Sequence, residues 1–196
     1  MAHGGDGAMS LFEFTFPLSA VMLGLALTHI AATVHKLLFA GKRVTWAPEP
    51  ILLTVLVVLV IVSLWLSSWS DRNEHSVTAG EILLDVAKLF ALYISAASCL
   101  PEPSGNKRID LITYYDHTRM ISFGSLLISL LLFRVADVIY YGFPVSVSFW
   151  PLFGLIYPPA LYFALIFIRK RWFNLLALGG IIVPFLWLTV GERLTG

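Results

Sequence analysis

Residues 50–69 read PILLTVLVVLVIVSLWLSSW, twenty residues without a charge. At about 1.5 Å per residue, such a helix spans the roughly 30 Å hydrocarbon core of a bilayer. The run is continuously apolar, without the strict alternation of a lipid-facing barrel strand. A helix also satisfies every backbone N–H and C=O within the segment, which hydrocarbon requires.

Outward from this stretch, five more of the same kind follow, at about 14–39, 80–100, 119–141, 146–168 and 172–190. Composition agrees. The chain has 196 residues, is 58% hydrophobic and only 13% charged, and has a mean hydropathy of +0.84. A soluble domain carries about 25% charged residues, so this chain has too little polar surface to coat itself in water. The expected fold is all-α: a polytopic membrane bundle of about six transmembrane helices, forming a single domain over 11–196. Residues 1–10 are Gly-rich, lack Lys and Arg, and read as a flexible tail, not a signal peptide.

The connections set the expected orientation. The first holds Lys42 and Arg43, with Lys36 just before it. The third, 101–118, holds Lys107 and Arg108, with Arg119 next, and the fifth is Arg169-Lys170-Arg171. The second has Arg72 against Asp71 and Glu74, and the fourth, 142–145, has no charge. Basic loops face the cytoplasm, which puts the odd loops inside and both termini outside. Trp46, Trp69, Trp150 and Trp172 fall at expected helix ends, as an aromatic belt places them.

The net charge of +1 gives no field that argues for nucleic acid. The lone cysteine, Cys99, excludes an internal disulfide and a multi-cysteine metal site. Nucleotide-binding, hydrolase and zinc-protease motifs are absent, and no catalytic residue is identified.

Ionisable groups at membrane depth are costly and mark candidate sites. Glu81, Asp85 and Lys88 share a face of helix 3, at i, i+4 and i+7. Arg134, Asp137 and Tyr141 share a face of helix 4. Asp85 and Asp137 each lie roughly 7 Å below the outer surface, and Lys88 and Arg134 roughly 12 Å below it. The four are expected to meet as a net-neutral network inside the bundle. It serves either as a buried clamp or as a polar opening for an ion, proton or solute, while Lys88 and Arg134 are also placed to snorkel. His29, Thr33 and Lys36 follow one another at i, i+4 and i+7 on helix 1, a candidate proton relay. His35 and His117 form a candidate pair at the inner mouth. Haem or a metal through His29, His35 or His117 is not expected, because no second axial ligand or carboxylate partner is evident. Pro158 and Pro159 in helix 5 and Pro184 in helix 6 are expected helix breaks near mid-depth. Ser122, Ser125 and Ser129 form a small-residue face expected to pack closely on another helix.

Several short motifs resemble a family of uncharacterised small multi-pass bacterial inner-membrane proteins. They are Phe12-Glu13-Phe14 before helix 1, Lys42-Arg43-Val44-Thr45-Trp46, Trp65 with Ser68-Trp69, and Asp110-Leu111 with Tyr114-Tyr115. The resemblance implies a bacterial inner-membrane location and no activity. The leading expectation is a small channel or transporter-like protein for ions, protons or a small polar solute, and not an enzyme. The alternatives are an accessory or scaffold subunit of a larger membrane complex, and a membrane-embedded redox or metal protein using the helix histidines. Expected partners are the lipid bilayer and either a second copy or a larger membrane complex.

Overall fold

The computed structural model describes residues 11–70, 79–103, 107–141 and 149–191. The tail 1–10 and the second and fourth connections lie outside this set, as do the side chains of Glu81, Trp69 and Trp150. Six helices are present among the described residues: α1 (Leu11–Ala40), α2 (Pro48–Ser70), α3 (Ala79–Ser98), α4 (Leu111–Tyr141), α5 (Phe149–Phe167) and α6 (Arg171–Gly191). A 3₁₀ turn (Gly41–Arg43) and two two-residue strands, β1 (Val44–Thr45) and β2 (Ile109–Asp110), complete the order. The strands pair in parallel, Val44 with Ile109 and Thr45 with Asp110.

Local chemistry sets the boundaries. Gly41 follows α1 with φ of 55°, the left-handed conformation that closes a helix and that an L side chain resists. Pro48 opens α2, where its missing N–H is no loss, and Glu49 sits in the first turn against the positive end of the helix dipole. Pro101 follows shortly after α3 ends.

Helix 4 departs from expectation. It starts at Leu111, eight residues before the expected 119, because Asp110 caps it. The Asp110 carboxylate accepts from the Ile112 amide at 3.1 Å and from the Thr113 hydroxyl at 2.8 Å. The added turns are amphipathic, with Leu111 and Tyr115 fully buried and Asp116 and His117 exposed. At 31 residues, α4 is the longest element.

The core draws on all six helices, including Leu37, Leu56, Leu92, Phe123, Leu165 and Leu178. α4 packs between α3 and α5, α1 against α3, and α2 against α6 and α1. Ser122 and Ser129 donate to the Ser98 and Lys88 carbonyls of α3 at 3.1 and 2.9 Å, so the serine face packs on α3.

Three described helical stretches are long and apolar enough to cross a membrane: Phe16–Arg43, Pro48–Leu66 and Leu111–Ile139. Ile156–Phe167 and Arg171–Trp187 are shorter apolar stretches. Large apolar side chains cover the outside of the bundle, and Val21, Leu25, Phe90, Ile128, Phe163 and Val183 are each more than half exposed. An apolar surface this extensive is not that of a water-soluble monomer.

Pro158, Pro159 and Pro184 lie inside α5 and α6, whose helical assignment continues through them. A proline at 184 removes the amide that would bond to the Gly180 carbonyl. Tyr157 of α5 supplies the missing donor, its hydroxyl donating to the Gly180 carbonyl at 3.2 Å. A Cβ at 180 would lie 2.9 Å from the Tyr157 hydroxyl oxygen, so a larger residue there would push the tyrosine tip off this carbonyl. Neighbouring side chains restoring lost backbone bonds let membrane helices tolerate proline.

Candidate functional site

The odd-numbered connections converge at one end of the bundle. The β1–β2 pairing joins the first to the third. Lys36 at the foot of α1 reaches Glu102 after α3 at 3.1 Å. The Lys36 ammonium holds the exposed Glu102 carboxyl below its ordinary pKa, chiefly through their hydrogen bond. That contact persists at neutral pH and is lost as pH falls through the lowered value; with both partners exposed, salt screens it.

Two buried charges organise this end. Glu49 is fully buried, and Arg171 at the start of α6 grips it from the exposed side, Nε to Oε1 at 2.7 Å and Nη2 to Oε2 at 3.4 Å. A planar guanidinium on both carboxylate oxygens is the strong, orientation-specific form of an ion pair.

Arg119 of α4 is 3% exposed. Its Nε donates to the Leu165 carbonyl at 3.0 Å, and its Nη2 donates to the Ile168 carbonyl at 2.6 Å and to Asn174 Oδ1 of α6 at 3.2 Å. Nη2 also contacts the Leu165 carbonyl. Asp116 lies 3.7 Å from Nη1, and the Tyr115 ring packs 5.7 Å from the guanidinium. The acceptors explain this placement. Leu165 and Ile168 lie at the C-terminal end of α5, where helical carbonyls lack intrahelical donors and the dipole is negative. One turn along α4, Ser122 does the same for the Ser98 carbonyl at the end of α3. One face of α4 therefore caps both helices beside it.

In the sequence alone Arg119 and Arg171 read only as loop charges, Tyr115 and Tyr157 carry no assigned role, and Glu49 and Asn174 do not stand out. The available signals were an acid set between Pro48 and Pro50 and an amide three residues into an apolar helix.

The charged residues of α3 and α4 come close along each helix. Asp85 pairs with Lys88 at 2.7 Å and Arg134 with Asp137 at 3.5 Å, each within its own helix. The helices do meet here, since Lys88 lies 5.1 Å from the Phe133 ring. Between the two helices at this level run the Lys88–Phe133 approach and the Ser129 bond to the Lys88 carbonyl; the side chain of Glu81, the fifth member of the expected network, lies outside the described residues. A single helix satisfies an i, i+3 pair without drawing a neighbour in. The side chains of Asp85, Asp137 and Arg134 are 33%, 36% and 38% exposed, and that of Lys88 16%.

Of the proposed relay, His29 faces Tyr93 of α3 edge-on at 6.3 Å, Thr33 is buried, and Lys36 is held by Glu102. His29 and Lys36 thus lie on the side of α1 toward α3 and the residues that follow it. His35 and His117 are both exposed, and the ring contact of His35 is Phe39 in its own helix at 4.5 Å. Among the described residues, no group of three His, Cys, Asp or Glu side chains is placed to hold a metal. An apolar groove of about 160 Å³ runs between α1 and α2, lined by Leu23, Gly24, Ile61 and Trp65 among others, on helices other than those carrying the charged pairs. No protein-family model matches this chain, and no curated protein or solved structure does either, so the short-motif resemblance assigns no family.

Proposed function

We propose that this is a six-span protein of a bacterial inner membrane, with its odd loops cytoplasmic and its termini periplasmic, that passes a small ion, proton or polar solute along the outer half of the α3–α4 seam. The observation behind it is that Asp85, Lys88, Arg134 and Asp137 stand on neighbouring helices that meet at this level, and that all but Lys88 stay about one-third exposed. Such groups in contact with hydrocarbon are expensive, so water or a polar ligand is their natural neighbour. The opposite end, tied by Arg119 and by Glu49–Arg171, is the fixed base against which the outer half moves.

The test is flux in proteoliposomes for H⁺, Na⁺, K⁺ and small anions. Asp85→Asn and Arg134→Gln should each lower the flux of one of these at least tenfold while the purified variants keep the helical circular dichroism of the unaltered chain. Unchanged flux in both folded variants, or no flux in the unaltered chain, removes the reading.

A further inference from the structure

We infer that the end of the bundle carrying β1 and β2 holds an anionic phospholipid headgroup between two dibasic pairs. The strands are parallel, Val44 beside Ile109 and Thr45 beside Asp110. The residues immediately before them are Lys42-Arg43 and Lys107-Arg108, so both dibasic pairs enter the ladder from the same side. All four side chains are exposed. Like charges brought together oppose the pairing that unites them, and an anion between them removes that cost.

Among the described residues, the acids of this end have partners of their own. Glu49 is bound by Arg171 and Glu102 by Lys36. Asp110 is turned into the first turn of α4, and Asp116 lies beside Arg119. Arg43 donates through Nε to the Ala40 carbonyl at 3.5 Å, a bond that anchors its guanidinium at the foot of α1.

The surroundings favour a lipid over a soluble anion. Phe39 is 80% exposed and Trp46 44% exposed, on either side of Lys42-Arg43. A Trp such as Trp46 belongs at the membrane–water boundary, at the level of the headgroups, and the bare Phe39 ring beside it belongs in the hydrocarbon just below. Clustered Lys and Arg at the end of a membrane helix recruit anionic lipid, roughly fivefold in affinity per charge. The inference rests on the membrane reading and not on solute passage, so failure of the flux assay and failure here are separate results.

The experiment uses the full chain in mild detergent, titrated with phosphatidylglycerol or phosphatidylcholine and read by native mass spectrometry. Phosphatidylglycerol should be retained in preference, and less so as salt rises. Lys107→Gln with Arg108→Gln should weaken its retention about twenty-five-fold, the product of two such factors, and leave phosphatidylcholine retention and the melting curve unchanged. Equal retention of the two lipids at low salt overturns the inference, and so does displacement of phosphatidylglycerol by millimolar inorganic phosphate. If the double variant does not fold, the salt series on the unaltered chain decides: salt-independent retention is contrary.

Discussion

Arg119→Met should lower the stability of the purified protein by about 3–5 kcal/mol, the range for removing one partner of a buried charged network. For a chain of this size, this corresponds to roughly 10 °C in melting temperature. Methionine fills most of the volume, so the loss is chiefly electrostatic. The Leu165 and Ile168 carbonyls and the Asn174 amide oxygen stay in place, and each loses its donor. An unpaired buried acceptor costs about 1–3 kcal/mol. Arg119→Lys keeps the charge but not the fork that reaches acceptors on two other helices, so it should fall between. Thermal melts of the three proteins in one detergent check the order. A methionine variant as stable as the unaltered chain would show that α5 and α6 do not depend on this cap.

The second large effect is expected at Glu49. Arg171→Gln leaves a fully buried carboxylate without its guanidinium. Because Arg171 is itself 64% exposed, solvent screens part of the pair, and the loss should be measurable but smaller than that of Arg119→Met. Adding Glu49→Gln removes the stranded charge, so the double variant should recover most of the loss. That reversal separates an ion-pair effect from simple loss of the Arg171 stem, which the second substitution cannot restore. Chemical unfolding of both variants beside the unaltered chain measures it.

Much of the architecture was legible because lipid imposes simple demands. Charge-free runs such as 50–69 need helices, and the basic residues at 42–43, 107–108 and 169–171 mark connections that the structure gathers at one end. The cap of α4 was readable as well, since Asp110 stands two residues before Ile112, yet the polar residues Asp116 and His117 disguised the first turns as loop. What the sequence could not disclose was pairing. Asp85 and Asp137 looked equally able to reach across to another helix or along their own, because i, i+3 spacing permits the second and only packing decides. Prolines 158, 159 and 184 gave no hint that Tyr157 donates to Gly180, a contact between residues 23 positions apart. Arg119 was visible as a charge, but its role depends on where α5 ends.

A chain that threads a bilayer repeatedly with its basic connections on one side has a fixed pattern of accessible positions. Single cysteines in a Cys99→Ser background, labelled with a membrane-impermeant maleimide in oriented vesicles, read that pattern. Lys42→Cys, Lys107→Cys and Lys170→Cys should react from the cytoplasmic face alone, and Ser70→Cys, at the far end of α2, from the opposite face alone. Reaction of Lys42→Cys and Lys107→Cys from opposite faces, or of Ser70→Cys from the same face as both, would contradict the account.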